Sequence, residues 1–445
     1  MVNRRYERWR WITFAVTWLI YAGFYLTRKS FSIAKVAFSD DSRVTLTRED
    51  LGLVDSTYLT TYAVGQFLFG TLGDRFGPRR VLLFGLTLSI LAAVAFGFST
   101  TLVVMLLLAV AQGIAQSTGW SNVAKVMTSW FSLRERGRVI GWWCTHYAVG
   151  AAVALPFAGY MMYLFGSPKP SGKEGPAIVD FWPAGFWGPA AVLSVVLVIT
   201  WLLLRNRPED VGLPSIEEYH HEKESTIEEG DTAAEESEGS WEVIGKVLRT
   251  PSIWLLALAY FSIKLTRYAF YFWGPMYIKE SLGTGALDSA LIAAALPVGG
   301  VIGVIVTGYI SDYCFQSRRA PVSIISLLIT AGLMLVGLTN ITNYWMMTGF
   351  FFMIGLFLFG PDSLISGTAA MDFGTKKGAG TAAGFVNGVG SVGAILGGWL
   401  PGKITTENDW TTLFYVFLVG ILASAAILIP LWNKKPTVSR HGGQQ

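Results

Sequence analysis

Apolar runs of about twenty residues recur along the chain between short polar segments, and a helix of that length crosses the hydrocarbon core of a bilayer. Twelve such runs are visible, starting near Trp11, Leu51, Val81, Leu102, Val139, Gly185, Ile253, Ala286, Val322, Tyr344, Ala379 and Leu413. They predict an all-α membrane protein of twelve transmembrane helices. One long polar segment interrupts the series at 205–250, and its core, EEYHHEKESTIEEGDTAAEESEGS, is acidic and too poor in apolar residues to build a domain. The organisation expected is therefore a six-helix half over 1–204, a linker over 205–250, and a second six-helix half with a tail over 251–445.

Composition agrees with this pattern. The 445 residues are 52% hydrophobic and only 14% charged, against about 25% charged in soluble domains. A soluble α/β enzyme is excluded on these grounds. Cys144 and Cys314 are far apart and form neither a disulfide framework nor a metal-ligand spacing. The basic N-terminus, MVNRRYERWRW, leads into an apolar run without a small-residue cleavage site, so it reads as a retained first helix. Most Lys and Arg outside the spans fall on the N-terminal side of the membrane, which predicts cytoplasmic termini and a cytoplasmic linker. Catalysis is not expected, because no nucleophile–base or metal constellation appears, and no GxxxxGK[ST] loop is present for a primary pump. No cofactor is expected.

The two halves echo one another. GTLGDRFGPRR follows the second helix of the first half and GYISDYCFQSRR the second helix of the second half, each with a Gly, an acid four residues on (Asp74, Asp312) and a later basic pair. Duplication of a six-helix unit explains both, and parallel repeats of this kind describe one class of secondary transporter.

With twelve spans and the 6+6 duplication, GDRFGPRR resembles the signature of the major facilitator superfamily. The resemblance implies that Asp74, Arg75 and Asp312 take part in gating, Asp74 by pairing with basic residues or by capping a neighbouring helix. More local stretches are similar to one branch, the organophosphate:phosphate antiporter family. These are YAGFYLTRKSFSIA in the first helix, QGIAQSTGWSNVAKVMTSWFSLRERGRVIGWWCTHYAVGAA across the fourth and fifth, KLTRYAFYFWGPMYIKE in the seventh, and FGPDSLISGTAAMDFGTKKGAGTAAGF in and after the tenth. That family carries sugar phosphates, glycerol 3-phosphate and phosphoglycerates in exchange for inorganic phosphate. The resemblance implies an integral protein of the cytoplasmic (inner) membrane, acting as a monomer. Its partners would be phosphate esters, inorganic phosphate and the lipid bilayer, with no nucleic acid.

The charges inside the spans fit this chemistry. A phosphate monoester carries one to two negative charges, and guanidinium groups grip its oxygens bidentately. Arg28 on helix 1 and Arg267 on helix 7 stand at corresponding places in the two repeats, and the resemblance makes them the phosphate-binding pair. The competing reading is that each pairs with a buried carboxylate, for which Asp55 and Asp362 are the main candidates. Adjacent residues on a helix point about 100° apart, so Lys29 is expected at the site's edge or on a carboxylate. Lys35 and Lys125 lie near enough to helix ends to snorkel.

His146, midway along helix 5, can donate to a phosphate oxygen. Tyr21, Tyr25 and Arg28 share one face of helix 1 at i, i+4 and i+7, and Tyr62 on helix 2 matches a tyrosine of the family. Lys264 falls three residues before Arg267, where the glycerol 3-phosphate carriers have Tyr, and is expected to contact the substrate or to pair with Asp362. Other departures from those carriers are Gln66 for Lys, Phe359 for Tyr, Tyr147 for Asn and Ser391 for Tyr. The phosphate end is kept and the organic end rewritten. Two alternatives stand beside exchange: proton-coupled symport of a small solute, which needs a titrating carboxylate, and a sugar-phosphate sensor of the same fold.

Overall fold

In lipid a backbone must satisfy its own polar groups, so long apolar runs with few breakers become helices. The computed structural model describes residues 4–168, 178–219, 245–316, 318–339, 341–369, 379–407 and 409–434; most of the acidic linker core and the loop after the tenth helix lie outside them. Twelve long helices are seen among the described residues. They are α1 (Arg4–Phe38), α2 (Arg48–Phe76), α3 (Pro78–Phe96), α4 (Leu102–Trp130), α5 (Val139–Leu164), α6 (Ala184–Leu203), α7 (Pro251–Leu282), α8 (Ala286–Tyr313), α9 (Arg319–Gly337), α10 (Tyr344–Ser363), α11 (Ala379–Glu407) and α12 (Trp410–Leu428). Ten have the length and apolar content to cross a membrane. The other two, α1 and α2, are 35 and 29 residues long and carry more charge. Two residue pairs, β1 (Ser167–Pro168) and β2 (Ile178–Val179), form a minimal antiparallel ladder between α5 and α6.

Helix ends follow local chemistry. Thr47 and Asp50 form a reciprocal capping box at the start of α2. The α2–α3 turn uses Gly77 at φ +84, a conformation that favours glycine, and Pro78 opens α3. Asn206 accepts from the Arg79 backbone N–H at 2.8 Å, satisfying a free donor at that helix start. Asn343 caps α10 and Asp409 caps α12 in the same way.

The described chain divides into two compact units. The first comprises Met1–Thr226 with Pro275–Ala294, the second Ile227–Gly274 with Ala295–Gln445. In the first, α1 packs on α5 and α6, α2 on α4, and α3 on α4 and α6. In the second, α8 packs on α10 and α9 on α12, while α7 meets α11 so closely that a Cβ on Gly393 would stand 2.2 Å from the Phe261 carbonyl oxygen. The pairings 1·5, 2·4 and 3·6 thus recur as 7·11, 8·10 and 9·12, as a duplicated six-helix unit requires.

The first unit also takes in the last turns of α7 and the start of α8, and the division falls at Gly274–Pro275, where the proline removes one helix hydrogen bond. Polar contacts fasten this piece within its unit: Lys279 Nζ to Asp40 at 2.9 Å, Arg48 to Glu280 at 2.8 Å, and the Ala286 N–H to the Asp180 carboxylate at 2.7 Å.

One lysine behaves differently from expectation. Lys35 does not snorkel. Its side chain is fully buried and its Nζ lies 2.6 Å from the equally buried Asp55 on α2. The end of α1 is covered by protein there, so a carboxylate replaces the headgroup region as the partner of its charge. Lys125 on α4 bonds to Asp74. In the second unit Asp312 pairs with Arg319 at 2.5 Å. The acid of each repeated motif therefore holds a base on another helix of its own unit, whereas Arg75 lies exposed over the Phe76 ring.

Two expectations follow. Breaking the Lys35–Asp55 pair strands a charge, so Lys35→Met and Asp55→Leu should each lower the stability of the purified protein by about 3–5 kcal/mol, and the double variant by clearly less than their sum, in a thermal-unfolding double-mutant cycle. At the α8–α10 contact, a Cβ on Gly355 would lie 2.0 Å from the Leu296 carbonyl oxygen, whereas nothing stands within 4 Å of one on Gly349. Gly355→Ala should therefore cost about 1–3 kcal/mol on the same assay, with Gly349→Ala close to neutral.

Candidate functional site

Each unit presents one arginine from its first helix, and the two are satisfied in different ways. In the first unit Arg28 projects from α1 beneath aromatic rings, with its guanidinium carbon 4.6 Å from the centre of the Tyr25 ring and 5.0 Å from that of Tyr62. Its Nε donates to Gln116 Oε1 at 2.7 Å. No carboxylate pairs with it among the described residues, and its Nη2 is buried without a hydrogen-bond partner among them. Arg28 thus stays a cation held by π faces and an amide dipole, with donors free for an anion.

Gln116 fixes this geometry. Its Nε2 donates to the Phe24 carbonyl oxygen and to Thr27 Oγ1, both at 3.0 Å, which turns Oε1 toward Arg28. Thr27 Oγ1 in turn lies 3.0 Å from Ser89 Oγ, to which Gln112 donates at 2.9 Å. A polar chain through α1, α3 and α4 therefore sets the arginine. Sequence reasoning missed Gln116 as a site residue, although two glutamines at i, i+4 within an apolar helix were the available signal.

The aromatic residues foreseen for helix 1 do gather here. The Tyr21 ring lies 5.9 Å from Tyr25 and 4.5 Å from His146. His146 is fully buried, in edge contact with Trp143 at 4.4 Å and near Trp120 and Tyr147. Both of its ring nitrogens lack hydrogen-bond partners among the described residues. An imidazole so placed has donor and acceptor capacity that the surrounding rings do not use. Lys29 does not share the Arg28 face: it is buried, with Asp55 within electrostatic reach.

In the second unit Arg267 on α7 ion-pairs with Asp362 on α10. Its guanidinium also lies 4.2 Å from the centre of the Phe359 ring and 5.5 Å from that of Tyr271. Asp362 thus engages Arg267 rather than Lys264. Lys264 instead reaches Ser391 Oγ on α11 at 3.4 Å and lies over the Tyr260 ring at 5.2 Å. Gly390 leaves the room for this, since a Cβ there would stand 2.4 Å from Tyr260 and 3.1 Å from the Lys264 stem. Phe359 and Ser391, two positions where the sequence departs from the glycerol 3-phosphate carriers, are therefore in contact with the two cations of this unit.

The resulting arrangement suits an anion rather than a reaction. Each unit supplies half-buried cations beside aromatic rings, and the first adds an imidazole. Among the described residues no cluster of His, Cys, Asp and Glu is arranged to hold a metal ion.

Comparison with known proteins agrees with this chemistry. The family model described as Major Facilitator Superfamily matches residues 14–398. The chain is 33% identical to the "Membrane sensor protein UhpC" of Salmonella typhimurium, over 99% of this chain and 95% of that one. It is 29% identical to the "Probable hexose phosphate transport protein" of Chlamydia trachomatis, over 97% and 93%. Among solved structures, a bacterial homolog of the human lysosomal transporter Spinster superposes with a TM-score of 0.70 at 15% identity, covering 97% of this chain and 96% of that one, a likeness of fold. Family match, full-length relatives and the arginine-centred chemistry of α1 and α7 agree: the chain is an integral membrane protein of the Major Facilitator Superfamily, in its organophosphate:phosphate antiporter branch.

Proposed function

We propose that the protein exchanges an organic phosphate ester, a sugar phosphate or glycerol 3-phosphate, for inorganic phosphate across the cytoplasmic membrane. The observation that carries this reading is Arg28, a membrane-span cation with an amide and two tyrosine rings about it and no carboxylate among the described residues. A bare cation in a membrane span is costly and marks a ligand path. Relatives whose names record hexose phosphate transport support the choice of ligand.

In this reading Arg28 and Arg267 bind the phosphate group, with His146 donating a further hydrogen bond and Lys29 adding charge at the edge. Tyr21, Tyr25 and Tyr62 form the wall beside it, and Lys264 reaches toward the organic end. The halves 1–204 and 251–445, joined by the linker 205–250, alternate access by rocking, with the termini and linker in the cytoplasm. Asp74 and Asp312 act as gates through the helix-to-helix pairs they make, with Arg75, next in sequence to Asp74, at the lipid headgroups. An empty carrier leaves Arg28 uncompensated, which raises the barrier to its return, and phosphate on the return leg removes that barrier. Exchange follows from this without a further coupling ion. The chain acts as a monomer.

Proton-coupled symport is disfavoured, because it needs a titrating carboxylate in the site and both candidates are engaged, Asp55 by Lys35 and Asp362 by Arg267. A sensor of the same fold keeps a place as the second reading, favoured by the 33% identity to a membrane sensor protein.

Purified protein in liposomes loaded with phosphate should take up labelled phosphate by counterflow, and a panel of phosphate esters should inhibit that uptake. Binding of esters without counterflow would turn the reading to the sensor, and uptake driven by a pH gradient with no phosphate competition would remove it. Arg28→Gln should reduce phosphate counterflow at least about thirtyfold, as expected when a buried charge-assisted contact worth about 2 kcal/mol or more is lost. Arg28→Lys should restore little, since an ammonium does not reproduce the planar fork. Gln116→Leu should fall between wild type and Arg28→Gln, because it frees the arginine from its orienting amide without removing the charge.

A further inference from the structure

The two arginines differ in one respect that the exchange reading leaves unused: Arg28 is held by a neutral amide and Arg267 by a carboxylate. The Arg267–Asp362 pair is also incomplete. One guanidinium nitrogen, Nη1, meets one carboxylate oxygen, Oδ2. Arg267 Nε and Asp362 Oδ1 are both buried and have no hydrogen-bond partner among the described residues. A pair kept for stability would use the two-pronged fork that these groups offer, because each buried polar atom left over carries a desolvation cost. Asp362 is itself 6% exposed, and its second oxygen is buried.

Such a contact is loose enough to be exchanged. The carboxylate occupies one prong of the fork and leaves Nε for another acceptor, on a guanidinium whose position is fixed independently by the rings of Phe359 and Tyr271. We propose that Asp362 is a tethered competitor for the anion site, a specificity-determining residue that the substrate phosphate must displace from Arg267; the inference rests on the phosphate-binding reading of Arg267. A tethered carboxylate carries one negative charge. It selects for an incoming group that offers Arg267 more than a carboxylate does, namely a phosphate in its doubly charged form with three acceptor oxygens, and against monoanions such as simple carboxylates and phosphodiesters. Once displaced, Asp362 has a cation within reach in Lys264, already held near it on the next turn of α7. That lysine then receives the carboxylate, and the pair expected from sequence becomes the partnership of the occupied state.

The test uses the full-length protein in detergent or nanodiscs, with inorganic phosphate as the probe and its Kd read by calorimetry. Asp362→Asn should bind phosphate at least about tenfold more tightly than wild type, because the competitor is gone and the arginine is retained. It should also lose discrimination, so that acetate and a phosphodiester, poor competitors in the wild type, come to compete with phosphate. A second pair keeps the buried charge balanced in case the single variant does not fold. Arg267→Gln leaves Asp362 as a bare anion in the site and should bind phosphate more weakly than the double variant Arg267→Gln/Asp362→Asn, by at least severalfold. An unchanged or weaker phosphate affinity in Asp362→Asn, or a double variant no better than Arg267→Gln, overturns the inference while Arg28→Gln still abolishes binding. If Arg28→Gln and Arg267→Gln leave phosphate binding intact, the phosphate reading falls and this inference falls with it.

Discussion

The cost of holding a cation away from water governs this molecule. An isolated charge in a low-dielectric interior is unstable by several kcal/mol, and the chain meets that cost in a different way at each basic residue in its spans. Lys35 has Asp55, and Lys29 lies within electrostatic reach of the same carboxylate. Lys125 has Asp74, and Arg267 has Asp362. Only Arg28 among these is given a neutral amide and two aromatic faces, which soften its charge without cancelling it. The positions of helices α1, α2 and α4 follow from this: they must bring Tyr25, Tyr62 and Gln116 to one guanidinium, and the Gln116–Thr27–Ser89–Gln112 chain is the scaffold that keeps them there.

Most of the architecture was legible because lipid leaves the backbone few choices. Apolar run length gave the helices, and the spacing of Asp74 and Asp312 within matching motifs revealed the duplication that the helix pairings repeat. The site was legible in part. Arginines in apolar helices stand out in any sequence, and the i, i+4, i+7 pattern placed Tyr21, Tyr25 and Arg28 on one face, where the structure has them. Partner choice was not legible. Whether Lys35 snorkels or is buried depends on what covers the end of α1, and whether Asp362 takes Lys264 or Arg267 depends on a rotation of α7 against α10 of less than one turn. Periodicity within a single helix carries no information on either. Gln116 was overlooked for a related reason, because its role exists only through three other helices.

The repeats have kept their framework and diverged at the site. Helix pairings and the acid–base contact at the end of the second helix are common to both halves, so the mechanical part of the duplicated unit has been retained. At the equivalent arginines the halves part company: one unit supplies an amide and an imidazole, the other a carboxylate, a second cation and a hydroxyl. A symmetric pair of free arginines would attract any anion of adequate size and would leave two uncompensated charges when empty. On the proposed phosphate reading, giving only one of them a resident carboxylate halves that empty-state charge and makes the second arginine answer to the strength of the ligand. The same proposal has the first unit attract and the second discriminate, a division of labour that a duplicated fold reaches through substitutions in one half alone.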